Sequence, residues 1–249
     1  MYKKVLSRFE NWVRTNYDMN HPKILEKYEH TQQVLEVAEF IAIEGKLSEE
    51  DLFIARVAAI LHDCARFPQI KLYDSFMDTA EFNHSIEGSK MLRNGLLKEM
   101  LPETRKYDDI IITAVELHGA LSLPEDLDEQ TEMQCSLLRD ADRTNLFPVC
   151  IARFDMLFWF DQGGPNLSPK VRDLYVNHKP IAFSELTNQL DMLALRFGLI
   201  NQYKSKAGLE YIKQQDYVNI LTDLFLEKRP FYNREDVEFV RRVALNFLE

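Results

Sequence analysis

Apolar positions recur every three or four residues along almost the whole chain, and no alternating strand pattern bounded by hairpin turns interrupts them. This pattern predicts an all-α protein. In the first part of the chain it predicts helices over residues 2–16, 24–45, 49–64, 85–99, 105–119 and 131–160, the last one broken near Pro148. Three more amphipathic helices are expected within residues 183–200, 207–228 and 233–249.

The clearest interruption is the segment DQGGPNLSPK, residues 161–170, where two glycines and two prolines separate helical patterns. At 249 residues the chain is long enough for one large domain or two small ones. We therefore expect a helical core over residues 1–162 and a C-terminal helical extension over residues 163–249, packed on that core within one globule.

Composition excludes several classes of partner. The 30 basic and 40 acidic residues give a formal charge of −10, which repels polyanions and argues against an extended nucleic-acid surface. The three cysteines are odd in number and lack CxxC spacing, so neither a disulfide framework nor a thiolate zinc site is indicated, and a cytoplasmic location is expected. Because no export signal and no run of 18 apolar residues is found, we expect no membrane association.

Histidines and aspartates stand on the apolar faces of the predicted helices. His30 shares the stripe of Val34 and Ile41, and His62 ends the stripe of the next helix beside Asp63. Two further stripes include His118 and Asp142, and His84 stands at a predicted helix start.

A buried carboxylate costs several kcal/mol unless it is paired or bound to a metal. The sequence shows no lysine or arginine on the inward stripe of Asp63 or Asp142. A single inward histidine is more often a core imidazole with a satisfied hydrogen bond, but four of them together with these acids favour a metal site of neutral imidazoles and carboxylates.

The order of His30, the doublet His62-Asp63 and the distant Asp142 resembles the HD superfamily of metal-dependent phosphohydrolases. The resemblance covers roughly residues 20–160, with the segments YEHTQQVLEVAEFIA, AAILHDCARF, NHSIEGSKML, ITAVELHG and LLRDADRTN in the family's order. It implies that residues 1–162 form an HD-type metal-binding helical bundle. In this family these four residues hold one divalent ion, and the aspartate of the doublet often bridges to a second.

The resemblance extends to binuclear members, in which two additional histidines, here His84 and His118, hold the second ion. These two histidines could instead contact substrate. Ligands of this kind suit Mn, Fe, Ni, Co, Zn or Mg, in one or two copies. Asp140 is expected to face solvent or a neighbouring arginine.

The resemblance also suggests catalytic and substrate-binding residues. Asp63 and Arg66 are the predicted catalytic residues, since binuclear phosphodiesterases of the family often carry a phosphate-binding lysine at the position of Arg66. Arg66 and Arg143 are the predicted substrate-binding residues. The alternative is a surface arginine in each case, which is the commoner situation for a helix residue such as Arg143. We expect loops over residues 65–84 and 119–130 to set specificity.

The implied function is that of an enzyme, a hydrolase that cleaves a small phosphomonoester or nucleotide through metal-activated water. Two alternatives use the same residues. One is a di-iron oxygenase of the HD fold that acts on a small polar substrate, and the other is a non-catalytic metal-binding sensor module. The complete ligand set argues against the sensor, because a vestigial site gives no reason to keep a buried carboxylate. No motif identifies the substrate or the oligomeric state.

Overall fold

The computed structural model describes residues 1–120, 122–159 and 163–249, and in these residues the chain forms helices and no strand. The prediction of an all-α protein is therefore confirmed. The chain divides into two compact units, Met1–Asp142 and Arg143–Glu249. The predicted boundary after residue 162 falls beside residues 160–162, which lie outside the described residues, so that boundary stays a prediction.

The first unit contains the helices that carry the predicted ligands. They are α1 (Tyr2–Asn16), α2 (Pro22–Glu44), α3 (Glu49–Leu61), α4 (Arg66–Tyr73), α5 (His84–Met91), α6 (Leu97–Met100), α7 (Asp108–Leu117) and the first part of α8 (Glu129–Ala152). A π-helical turn, Leu92–Leu96, joins α5 to α6. Helices α2 and α3 pack closely against each other, and α7 packs against both α3 and α5. This packing brings the two helix ends that carry His62 and His118 together.

The second unit has a core of its own, which includes Phe197, Phe225 and Tyr232. Its helices after α8 are α9 (Phe154–Leu157), α10 (Pro169–Val176), α11 (Gln189–Gly198), α12 (Lys206–Gln214), α13 (Tyr217–Lys228) and α14 (Arg234–Asn246). Two 3-10 turns, Phe183–Glu185 and Ile200–Gln202, flank α11. Among the described residues, no helix combines the length and the apolar character that crossing a membrane requires.

Helix α3 places the His-Asp doublet. Ser48 caps its start, since the Ser48 hydroxyl accepts a hydrogen bond from the backbone N–H of Asp51 at 3.0 Å, and three acidic residues occupy its first turn. The helix ends at Leu61, so the doublet lies in the turn that leads to α4 rather than inside the predicted helix 49–64. Because this turn leaves the regular helix, the two side chains can face the same buried space.

Several predicted elements differ from the structure. Residues 66–73 form α4, whereas the sequence predicts a loop over residues 65–84, and residues 169–176 form α10, a helix for which the sequence gives no prediction. Helix α8 continues through Pro148, and the break comes at Arg153. The expected helix 207–228 is divided at Asp216, which has a left-handed backbone with φ of 54°.

Candidate metal centre

Four imidazole rings meet in pairs inside the first unit. Nε2 of His30 lies 3.1 Å from Nε2 of His62, and Nε2 of His84 lies 3.0 Å from Nε2 of His118. His30 comes from the middle of α2 and His84 is the first residue of α5, whereas the other two directly follow the ends of α3 and α7. The four histidines singled out in the sequence thus lie together in space.

Asp63 lies between the two pairs and turns one carboxylate oxygen toward each. Its Oδ2 is 3.4 Å from Nε2 of His30 and 3.5 Å from Nε2 of His62. Its Oδ1 is 3.7 Å from Nε2 of His84 and 3.7 Å from Nε2 of His118. One buried carboxylate is therefore shared by both histidine pairs.

Asp142 completes the first pair only. Its Oδ1 is 3.1 Å from Nε2 of His30 and 3.7 Å from Nε2 of His62. We name the group of His30, His62, Asp63 and Asp142 the first cluster, and the group of Asp63, His84 and His118 the second cluster.

The hydrogen bonds of two histidines fix which ring nitrogen faces the clusters. Nδ1 of His62 is 2.8 Å from the carbonyl oxygen of Ala59, and Nδ1 of His118 is 2.6 Å from that of Val115. A carbonyl oxygen can only accept, so Nδ1 carries the hydrogen and Nε2 keeps its lone pair. Each histidine follows a helix end, where the carbonyls of the last turn lack helical N–H partners and are open to this bond.

The local electrostatics keep two of these imidazoles neutral. Burial lowers the pKa of His84 to about 4 and also lowers the pKa of His62. Burial and the nearby Lys27 likewise lower the pKa of His30, but its hydrogen bonds to Asp142 and Asp63 outweigh them and the net shift is upward. The carboxylates of Asp142 and Asp63 thus favour a positive charge at the position of His30, as a bound cation would supply.

Asp63 is ionised although it is buried. Burial raises its pKa, but the ammonium of Lys27 and the hydrogen bond from the imidazole of His30 outweigh burial and hold the pKa well below its ordinary value. The site therefore presents an anionic carboxylate to both histidine pairs.

The donor atoms fit divalent cations. Two ring nitrogens that ligate one ion at right angles, as in an octahedral site, each at about 2.1 Å, lie about 3 Å apart. Both observed nitrogen pairs have this spacing. Among the described residues, His30, His62 and Asp63 bring one ligand atom each within 4.8 Å of one another, as do Asp63, His84 and His118. Each cluster thus has the residues to hold one ion.

Lys27 is a neighbour of the centre that the sequence analysis missed. Its ammonium lies 2.8 Å from Oδ2 of Asp63 and 5.4 Å from the centroid of the Phe76 ring. No basic residue shares the inward stripe of Asp63, but a cationic partner reaches it from a different helix. The spacing of Lys27 and His30 on α2 was an available signal, since residues three apart share a helix face.

Arg66 contacts the protein rather than open space. Its Nη1 donates to Oε1 of Gln69 at 2.7 Å, to the carbonyl of Phe76 at 2.6 Å and to Oδ1 of Asp78 at 2.9 Å. Its Nε lies 3.6 Å from Oδ1 of Asp63. These bonds give Arg66 a structural role, and its predicted contact with substrate stays a prediction.

Asp78 is a second missed residue, because it lies on a connecting segment with no periodic pattern. Its Oδ2 accepts a hydrogen bond from Nδ1 of His84 at 2.6 Å.

Asp140, which was expected to face solvent or an arginine, is 1% exposed, so a solvent-facing position is wrong. Arg143 is half-buried and belongs to the second unit, and its predicted substrate contact stays a prediction. The predicted specificity loop 119–130 includes residue 121, which lies outside the described residues.

Comparison with protein-family models finds a match to the HD domain over residues 28–146. The matched segment begins shortly before His30 and ends shortly after Asp142, so it contains every residue of both clusters. Searches of curated proteins and of solved structures find no match.

Proposed function

We propose that this chain, whose residues 28–146 match the HD domain of metal-dependent hydrolases, hydrolyses a small phosphate ester with the help of two divalent ions. The observation that carries the proposal is the position of Asp63, one ionised carboxylate between two pairs of imidazole nitrogens. When bound, the ions would supply an activated water at neutral pH and positive charge for the phosphate oxygens.

The protein residues divide this work. His30, His62 and Asp142 would hold the first ion, and His84 and His118 would hold the second, with Asp63 shared between them. Neutral imidazoles leave the charge of the ions intact, since only the two carboxylates oppose it. The aspartates also provide acceptors that orient a water molecule within the centre.

The charge balance favours an anionic substrate. Two divalent ions outweigh the negative charges of Asp63 and Asp142, and the ammonium of Lys27 adds a further positive charge 2.8 Å from Asp63. A phosphate dianion complements this excess, whereas a neutral polar substrate does not. The positive field is local, because the whole chain has a formal charge of −10.

The experiment measures phosphate release from a panel of phosphomonoesters and nucleotides by the full chain loaded with Mn²⁺, Co²⁺ or Ni²⁺. We expect hydrolysis of at least one ester and a loss of at least about 100-fold in His62→Ala and Asp63→Ala. His178→Asn is the control, because it removes a histidine of the second unit at a left-handed position, φ 56°, that asparagine tolerates.

Two outcomes would contradict the proposal. A protein that binds two irons and consumes O₂ with a small polar substrate, without phosphate release, would be an oxygenase. A folded protein that binds no divalent ion would be neither a metal-dependent hydrolase nor a di-iron oxygenase.

A further inference from the structure

His84 is oriented differently from the two histidines that follow helix ends. His62 and His118 each bond a carbonyl of their own helix, three residues earlier. His84 is the first residue of α5, so no preceding turn of the helix offers it a carbonyl. Its Nδ1 must therefore find an acceptor elsewhere in the protein.

Asp78 is that acceptor. Its Oδ2 accepts from Nδ1 of His84 at 2.6 Å, and its Oδ1 lies 3.3 Å from the backbone N–H of the same residue. A carboxylate accepts hydrogen bonds but does not donate them when ionised, so Nδ1 carries the hydrogen and Nε2 faces the second cluster.

Asp78 is itself held in place by residues of α4. Nη1 of Arg66 donates to Oδ1 of Asp78 at 2.9 Å and to the carbonyl of Phe76 at 2.6 Å. Nε2 of Gln69, a fully buried side chain, donates to the carbonyl of Met77 at 2.9 Å. The segment between α4 and α5 is therefore anchored at Phe76, Met77 and Asp78, and its position decides where the Asp78 carboxylate lies.

From this arrangement we propose that Asp78, anchored by Arg66, is the positioning residue of the second cluster and sets the affinity of the second ion without affecting the first. A carboxylate bonded to a metal-ligating histidine fixes the ring and makes its free nitrogen more basic, and its removal typically costs 10- to 100-fold in metal affinity. The first cluster contains neither His84 nor Asp78. The inference rests on the two-ion centre of the proposed function.

The test titrates the metal-free full chain with Mn²⁺ by calorimetry and counts bound ions by elemental analysis. Wild type should bind two ions. Asp78→Ala should bind the first ion as wild type does and the second about 10- to 100-fold more weakly. Glu81→Gln is the matched control, since it removes an exposed acid of the same segment, and it should keep both affinities.

Two further variants separate positioning from folding. Asp78→Asn keeps an oxygen that can accept from Nδ1 of His84 but loses the charge, so its second-ion affinity should lie between those of wild type and Asp78→Ala. Arg66→Met should weaken the second ion in the same direction, because the carboxylate loses its anchor. The spin-coupled Mn²⁺ pair signal in electron paramagnetic resonance should disappear from Asp78→Ala at metal concentrations that give this signal in wild type.

Retention of both metal affinities in Asp78→Ala and Asp78→Asn would overturn the inference. An equal loss of affinity for both ions in these variants would also overturn it, as would a wild type that binds one ion. Thermal unfolding shows whether each variant folds. If wild type binds two ions and loses the second in the Asp78 variants, yet hydrolyses no ester, the proposed function fails alone. If esters are hydrolysed but second-ion affinity does not depend on Asp78, the inference fails alone.

Discussion

Asp63 carries a charge at a position where solvent does not stabilise it. Its side chain is 3% exposed, and in the metal-free protein its Oδ2 depends on Lys27, whose side chain is 16% exposed. A charge left buried without its partner costs about 3–5 kcal/mol. Lys27 thus stabilises the Asp63 carboxylate in the metal-free protein, as a bound divalent ion would in the metal-loaded protein.

This dependence predicts that the cost of Lys27→Met varies with metal. Without metal, the variant should lose about 3 kcal/mol of unfolding free energy, because Asp63 loses its cation. With saturating Mn²⁺ the loss should fall below about 1 kcal/mol, because the ions stabilise the carboxylate. Urea unfolding with EDTA and with Mn²⁺ measures both values.

Lys23→Met provides the control, because Lys23 lies one turn earlier on α2 and pairs with the exposed Asp74. It should cost less than about 1 kcal/mol in both conditions. An equal loss in Lys27→Met with and without Mn²⁺ would show that Lys27 and the ions do not stabilise the same carboxylate.

For individual residues, the sequence predicts which side chains of one helix face inward, but it does not predict contacts between side chains of different elements. The apolar stripe of α2 identified His30 as an inward residue, and Asp63 stood beside His62 in the sequence. Lys27 shares a helix face with His30, but its contact with Asp63 depends on how α2 packs against α3. Asp78 contacts His84 through a loop conformation that hydrophobic periodicity does not encode.

Among the elements, the link between α5 and α6 has the most unusual backbone. Gly95 lies in the π-helical turn Leu92–Leu96 with φ of +121°, a conformation that other residues rarely adopt. A Cβ at Gly95 would meet nothing within 4 Å. The glycine is therefore required by the backbone rather than by close packing.

Gly95→Ala should lower the unfolding free energy by about 1–2 kcal/mol, because alanine is strained at positive φ. Gly164→Ala is the matched control, since a Cβ there also meets nothing within 4 Å but the backbone is not left-handed. It should change stability by less than about 1 kcal/mol. Urea unfolding compares the two, and equal losses would show that backbone strain at Gly95 is not the cause.

The elements that the sequence analysis missed both begin near a proline. Pro169 is the first residue of α10, after the cap Ser168, and Pro68 is the third residue of α4. The first N–H groups of a helix have no helical acceptor, so proline is tolerated there and can start a helix. A proline alone does not show whether a helix ends before it or begins at it, so neither helix could be predicted from its proline.

At the scale of the molecule, each unit encloses cysteine thiols in its interior. Cys64, Cys135 and Cys150 are buried and form no disulfide. Burial raises the pKa of Cys150 to about 11, against 9.0 for an ordinary thiol, with Arg196 opposing part of the shift. The folded protein therefore keeps this thiol protonated at pH values where the unfolded chain releases the proton.

The sign of this shift predicts a loss of stability in alkali. The contribution of Cys150 is complete below pH 9, the unfolded value, and is lost as the pH rises toward 11. Between pH 8 and 10.5 the titration of Cys150 should lower the free energy of unfolding by about 1–2 kcal/mol. Urea unfolding at the two pH values should give a smaller difference for Cys150→Ala than for wild type. Equal differences for the two proteins would show that the pKa of this thiol is not higher in the folded protein than in the unfolded chain.

The first cluster also determines when a refolding chain can take up metal. His30 and Asp142 stand near opposite ends of the matched segment, yet they lie 3.1 Å apart. Contacts between residues distant in the sequence are slow to form, because the long intervening loop must close first. The second cluster closes shorter loops, between Asp63 and His118. We therefore expect an ion at the first cluster to bind only at the end of folding, so that its binding would mark a completely folded domain.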